Sequence, residues 1–235
     1  MLDVELLKTL NYRNISDFIK LKSKNIPQSS LVLDIGSGTK PFEHLFKNHN
    51  YHSHDFDGYK NYKNSSQQKY TYNCDILDIP EEIKYDILIC TEVVEHLPDI
   101  KSTFKKLKKL LKPSGDLLLT FPFASMYHQE PYFFTSGYST YLIENLCKEF
   151  EMDVIEYQQS GTYITSVQLD FLRINYFFRK NHNFILKLLN KMILFFVLNY
   201  LKLIENKDIN LDENNKKLNN LKPIGYLYHL KNSNN

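Results

Sequence analysis

The chain has 235 residues, 43% hydrophobic and 24% charged, a balance that supports a sizeable core and excludes wholesale disorder. Lys plus Arg totals 29 against 27 Asp plus Glu, and a net charge of +2 is too weak a field for a dedicated nucleic-acid binder. The three cysteines, Cys74, Cys90 and Cys147, lie far apart without a CxxC pair, which fits a reducing compartment and offers no zinc-site spacing.

The N-terminal MLDVELLKTL carries acids and lacks the basic start of a secretory signal, so a cytoplasmic location is expected. Residues 1–27 read as a helical cover, apolar at Val4, Leu7, Ile15, Phe18 and Ile19, with Asn14 or Ser16 as a cap and Pro27 as the stop. LVLDIGSG, Leu31 to Gly38, reads as a strand broken by a tight glycine turn, followed by a helix from Pro41 to Lys47. A strand from Tyr51 to Asp55, a polar stretch from Asp57 to Gln68 and a third strand from Tyr70 to Cys74 come next. YDILICT, Tyr85 to Thr91, is a continuous apolar strand of the kind buried on both faces, and EVVEHL leads from it to an amphipathic helix, Ile100 to Leu111. Lys112-Pro113-Ser114-Gly115 stops that helix before a buried strand, Asp116 to Phe123. Tyr138 to Phe150 reads as a helix and Met152 to Gln158 as a strand.

Residues 160–222 then read as an apolar helical insertion, with helices from Val167 to Phe178 and Phe184 to Ile204 and a polar DENNKKLNN stretch. A last strand, Gly225 to Lys231, and a frayed Asn-rich end complete the chain. Strands alternating with helices predict an α/β fold, a doubly wound (Rossmann-like) and mostly parallel sheet, in a single domain over 1–235.

In such a sheet the ligand site lies beyond the carboxyl ends of the strands at the switch point, where Gly36, Ser37 and Gly38 fall. Asp34 precedes the turn, Asp55 closes the second strand about 20 residues on, and Asp75 closes the third. A carboxylate after the second strand can accept both ribose hydroxyls, with Asp57 as its rival, and one after the third can accept from an adenine amino group. NAD competes for this reading, but its G-x-G-x-x-G fingerprint needs a third glycine and free N–H groups at the helix start, where this chain has Lys40 and Pro41. An acid-lined pocket suits a sulfonium and an α-amino group, which points to S-adenosylmethionine.

LVLDIGSGTKPF, CDILDIP, YDILICTEVVEHLPD and LKPSGDLLLTFPF, in that order over roughly residues 28 to 158, resemble the motifs of class I S-adenosylmethionine-dependent methyltransferases. The departure is Lys40 at the third glycine of a D-x-G-x-G-x-G pattern. The resemblance implies a seven-stranded sheet with an antiparallel last strand. It assigns Asp34 and Gly36 to Gly38 to the methionyl moiety, Asp55 to the ribose, Asp75 and the Ile76 backbone to adenine, and Thr91 to the border of the sulfonium.

A hydroxyl acceptor benefits from a general base, and His128, in the loop after the fifth strand, and His96, at the opening of the fourth helix, lie near the expected site. His128 reads as a base, a substrate hydrogen-bonding group or a loop residue, His96 as a structural one, with Glu92 and Glu130 in reserve. No metal is expected. Thr91-Glu92-Val93-Val94 stands where nucleobase amino methyltransferases show (N/D)-P-P-(Y/F), and no Pro-Cys pair exists for cytosine C5 chemistry. HQEPYFFTSGYS resembles a loop of bacterial methyltransferases of cell-surface polysaccharide and glycolipid synthesis, without the Arg of that loop. The expected acceptor is therefore a sugar or glycan hydroxyl, with a lipid or quinone, or a cofactor-binding protein without turnover, as alternatives. Within 184–204 the longest unbroken apolar run, Met192 to Leu198, falls short of the about 20 residues that span a bilayer. That stretch reads as an interfacial membrane helix, a helical cap or a homodimer contact.

Overall fold

The computed structural model describes residues 4–56, 69–181, 183–208 and 223–233. Helices α1 (Val4–Ser23), α2 (Ile100–Leu110), α3 (Thr140–Glu149), α4 (Tyr163–Asn181) and α5 (Phe184–Asp208) accompany seven strands. These are β1 (Leu31–Ile35), β2 (Asn50–Asp55), β3 (Tyr72–Asn73), β4 (Tyr85–Thr91), β5 (Leu111–Pro122), β6 (Met152–Ser160) and β7 (Gly225–Asn232). They form one sheet in the order β3-β2-β1-β4-β5-β7-β6, parallel from β3 to β5 and with antiparallel strands at the far edge. After β3 the chain crosses back over β2 and β1 to lay β4 beside β1, so the switch point falls at the carboxyl ends of β1 and β4.

By its internal contacts the chain divides into two compact units, one of 15–158 with 226–235 and one of 1–14 with 159–225. The 160–222 stretch falls in the second of these, together with the start of α1.

In the sheet unit the two faces follow the period of a strand. Leu33 and Ile35 of β1 pack with Phe104, Leu107 and Leu110 of α2, while Val32 packs on the other face with Ile15, Phe18 and Ile19 of α1. β4 divides in the same way, Leu88 and Cys90 to one face and Ile87 and Ile89 to the other. Both faces are dry, which is why YDILICT shows an apolar run and not an alternation.

Several local expectations change. α1 is a single helix, so Asn14 and Ser16 lie inside it and cap nothing; Asn14 Nδ2 donates to Ser160 Oγ at 3.0 Å. The helix expected from Pro41 to Lys47 shortens to a 3-10 turn, Glu43–Phe46, which has no side-chain cap and follows Lys40 in a left-handed conformation. β3 keeps two residues of the expected five. β5 begins directly after α2, and Lys112 to Gly115 form a bulge within it, with Ser114 at φ 56° and the β4 register passing from Tyr85↔Leu111 to Ile87↔Asp116. Lys231 and Asn232 are not frayed: β7 runs through both, and Asn232 Nδ2 donates to Lys112 O at 2.8 Å. Asp57 and the rest of the 57–68 stretch lie outside the described residues, as does DENNKKLNN.

In the helical unit α4 and α5 pack on each other through Leu169 and Leu172 against Leu194, with Phe171, Leu198 and Ile224 around them. The segment Phe184–Ile204 is long and apolar enough to cross a membrane by length and composition, which the short unbroken run had understated.

Candidate active site

β1 ends at Ile35, and the parallel register sets that residue beside His54, so the glycine turn rests on the end of β2. His54 is buried and holds the turn through three contacts. Its carbonyl accepts from Ser37 N at 2.9 Å and Ser37 Oγ at 3.1 Å, and its Nδ1 accepts from Gly36 N at 3.4 Å. Its Nε2 faces the Cys74 carbonyl at 2.9 Å, an atom that only accepts, so the ring carries its proton on Nε2 and is neutral. Burial holds its pKa below the ordinary histidine value. The sequence reading missed His54; only the strand register brings it to the turn.

The two glycines do different work. A Cβ on Gly36, at φ 65°, would stand 2.3 Å from Val93 Cγ2, whereas one on Gly38, at φ 52°, would have nothing within 4 Å. Gly36 is therefore a packing glycine and Gly38 the open one. Gly36→Ala combines a left-handed alanine, about 1–2 kcal/mol, with overpacking against a stiff β-branched side chain, about 1–3 kcal/mol. A loss of about 2–5 kcal/mol is expected in denaturant unfolding, and a Val93→Ala background should recover the packing part in a double-mutant cycle. Equal losses in both backgrounds would contradict the packing role.

Lys40, in the third glycine position, itself takes the left-handed conformation, at φ 56°. Its Nζ donates to the Lys69 carbonyl and lies 5.5 Å from the centroid of the Tyr70 ring, whose hydroxyl donates to Gly38 O at 2.9 Å. The residue that departs from the motif thus keeps the motif's backbone shape, with Tyr70 as a second clamp that the sequence did not disclose.

Asp55, half-buried at the end of β2, accepts from Gly38 N at 2.6 Å and from Phe56 N at 2.7 Å, one bond to each carboxylate oxygen. A carboxylate has about four lone-pair sites, so acceptor capacity remains for a vicinal diol. Asp75 is exposed and caps a 3-10 turn, Ile76–Asp78, by accepting from Leu77 N at 2.8 Å. Ile76, at the first position of that turn, is buried.

Asp34 is placed differently from the expected methionyl contact. Between Leu33 and Ile35 it points to the α1 face, 1% exposed, and accepts from Tyr51 Oη at 2.6 Å. Burial pushes its carboxyl up to about 7, against the Tyr51 hydrogen bond and with the charge of Asp55 adding to the rise. Ser37, also buried, spends its N–H and hydroxyl on His54. Both residues hold the turn from below, and the side open to a ligand is that of Gly38, Asp55 and Asp75.

At β4, Thr91 lies opposite Thr120 of β5 and ends the strand. Glu92, at φ 54°, turns back so that its N–H donates to Thr120 O at 3.1 Å and its Oε1 accepts from Thr120 Oγ1 at 2.9 Å. His96 does not open the fourth helix: Val94–His96 is a separate 3-10 turn, and Asp99 caps α2 after it. That turn anchors the loop after β5. His96 Nδ1 donates to Tyr132 O at 2.6 Å, Phe134 N and Thr135 N donate to Glu95 O at 3.2 and 3.4 Å, and Tyr138 Oη donates to Val94 O at 3.2 Å. Burial lowers the His96 pKa more than the Tyr132 carbonyl raises it, and the neighbouring His128 lowers it further.

The anchored loop carries His128 to His96, with ring centroids 4.8 Å apart, edge to face. Phe133 packs on His128 at 5.1 Å, Tyr127 on Phe133 at 5.3 Å, and Tyr132 meets Phe56, next to Asp55, at 5.5 Å. The two histidines, separated by 32 positions in sequence, thus meet on the loop whose Tyr132 packs against Phe56, the neighbour of Asp55. His128 Nδ1 lies 2.7 Å from Met126 O, which fixes its proton there and leaves the Nε2 lone pair on an exposed ring. Glu130 is exposed in the same loop. Glu95, 2% exposed, has Oε1 3.7 Å from His96 Nε2 and no hydrogen-bond partner for Oε2. Burial, with the charge of Glu92 second, holds its carboxyl well above the usual range. Among the described residues no three His, Cys, Asp or Glu side chains form a metal cluster.

The methyltransferase-domain family model matches residues 7–172, which include the glycine turn, all three strand-end acids and the histidine pair. The chain belongs to this methyltransferase-domain family. The ubiquinone biosynthesis O-methyltransferase of Coxiella burnetii is 26% identical over 129 residues, 51% of this chain and 53% of that protein, so the chain spans about half the length of the curated relatives it matches. A SAM-dependent methyltransferase of Archaeoglobus fulgidus superposes with a TM-score of 0.54 at 17% identity, over 92% of this chain and 93% of that one. Phosphoethanolamine N-methyltransferase 2 of Haemonchus contortus, in complex with S-adenosyl-L-methionine, gives 0.50 at 14%, over 94% of this chain and 52% of that one. At these identities the likeness is one of fold. The methyltransferase's own residues fit the cofactor: Gly38 is open where a ligand would approach the backbone, and Asp55 and Asp75 line the same edge with acceptor capacity to spare.

Proposed function

We propose that this methyltransferase transfers a methyl group from S-adenosylmethionine to a hydroxyl on an aromatic acceptor. Asp55 would hold the ribose hydroxyls, Asp75 and the Ile76 N–H the adenine edge, and Gly38 with Thr91 the methionyl end. When bound, the cofactor supplies a methyl carbon activated by a positive sulfur, so positioning and exclusion of water do much of the work. His128 takes the acceptor hydroxyl's proton at Nε2, the nitrogen left free by the Met126 carbonyl. His96 positions the loop that carries His128, and the Glu95 carboxyl behind it adds no negative charge while protonated. Phe133, Tyr127 and Tyr132 give the acceptor side an aromatic wall.

The observation that carries this reading is the His96–His128 contact beside the Asp55 edge. The curated relatives, named for O-methylation in ubiquinone biosynthesis, favour a phenolic acceptor. A sugar hydroxyl is the second reading, favoured by the exposed rings of Tyr127 and Phe134, which offer stacking faces. The three cysteines are free thiols, which supports a reducing, cytoplasmic setting. The test is transfer of a labelled methyl from S-adenosylmethionine to a panel of catechols and of monosaccharides. Label in a phenolic ether is expected, label only in sugars selects the second reading, and label in neither contradicts O-methylation of both classes.

A further inference from the structure

α5 leaves uncovered far more apolar surface than packing on α4 requires. Its inner face carries Leu194, 5% exposed, and Leu198 into the cluster with Leu169 and Leu172. On the outer side Phe196 is 66% exposed, Ile193 59% and Met192 51%, and Ile185, Leu189 and Leu203 are exposed as well. At about 100° per residue these side chains fall within a sector of roughly 100°, which the exposed Phe184 and Phe195 widen to about half the helix's circumference. A contiguous apolar face of this size on a helix is a docking surface and not ordinary surface scatter.

The charges choose the occupant. Lys191 and Lys202 fall along one border of the apolar face, beside Phe184 and Phe195, with Lys187 roughly 40° further round, and residues 183–204 contain no acid. A helix with an apolar face bordered by lysines, its acids Glu205 and Asp208 confined to the last turn, matches a bilayer surface with anionic headgroups, where the aliphatic lysine stems reach along apolar surface while the ammonium groups meet phosphate. Lys187 and Lys191 are one turn apart, so they reach headgroups on the same side. The three lysines within 21 residues also favour lying in the interface over crossing it.

We propose that α5 docks this protein on an anionic membrane surface, lying in the headgroup region with Met192, Ile193 and Phe196 inserted into the acyl boundary. This inference stands on α5 alone and is independent of the methyl-transfer reading.

The chain has no tryptophan, so Phe196→Trp places a single indole reporter on the inserted face. Its emission should shift to the blue on vesicles of phosphatidylcholine with phosphatidylglycerol, and brominated lipids should quench it at a depth of about 5–10 Å. In sedimentation with the same vesicles the full chain should bind at least tenfold more tightly than to pure phosphatidylcholine. Each lysine is worth about fivefold near an anionic surface, so the triple change of Lys187, Lys191 and Lys202 to Gln should remove that preference. Ile193→Glu with Phe196→Glu should abolish binding while the melting transition persists. Absence of binding by the unaltered chain, or binding that survives Ile193→Glu with Phe196→Glu, overturns the proposal. So does a dimer in analytical ultracentrifugation that this double change converts to monomer while the indole shows no shift on vesicles.

Discussion

Asp55→Ala should weaken S-adenosylmethionine binding by at least a hundredfold. The Asp55 carboxylate sits where β2 ends, fixed by Gly38 N–H on one oxygen and Phe56 N–H on the other, and on the proposed reading its remaining lone pairs accept from two ribose hydroxyls. A hydrogen bond to a charged group contributes about 1.5–3 kcal/mol, so losing two corresponds to roughly 3–6 kcal/mol, or about 10²–10⁴ in affinity. The substitution also releases Gly38 N–H, which loosens the open side of the turn. Asp55→Asn keeps an acceptor for Gly38 and loses the charge, and should fall between. Calorimetric titration checks this, with thermal melting to confirm that both variants fold. Affinity within threefold of the unaltered protein would remove Asp55 from the site and the ribose assignment with it.

His128→Ala should lower kcat by about 10²–10⁴ and leave cofactor affinity unchanged. The loss is confined to chemistry because the contacts of His128 run to His96, Phe133, Ser125 and the Met126 carbonyl. His96→Ala should behave otherwise: it removes the bond to Tyr132 O, frees the loop of residues 132 to 135 and raises KM along with lowering kcat. An unchanged kcat in His128→Ala would leave positioning and desolvation as the whole of the catalysis.

The sheet was legible because its physics is local. YDILICT and DLLLTFPF are apolar runs with no alternation, which only burial on both faces explains. The strand-end acids could be placed once the glycine turn was found, since Asp55 and Asp75 follow from strand lengths. Asp34 could not: whether a strand residue faces the ligand or the α1 side depends on the pleat, and Tyr51, its partner, is 17 positions away on β2. His54 escaped for the same reason, meeting the glycine turn through a register that only pairing sets, and Tyr70 because it reaches Gly38 from the coil before β3. The His96–His128 pair was named as two candidates, but their contact depends on Tyr132 meeting His96 across a loop whose shape no spacing discloses. Pro113 and Gly115 misled because a bulge inside β5 uses the same residues as a turn. α5 misled in a different way, since its lysines interrupt the apolar run in sequence but gather on one border of the helix in three dimensions.

The central claim is that the Gly36 to Gly38 turn and the two strand-end acids form a nucleoside site for S-adenosylmethionine and not for a dinucleotide. Calorimetric titration of the unaltered protein with S-adenosylmethionine, S-adenosylhomocysteine and NAD tests it most directly. Micromolar binding of the first two, with no heat from NAD, is the predicted result. Binding of NAD, or of none of the three, would contradict it.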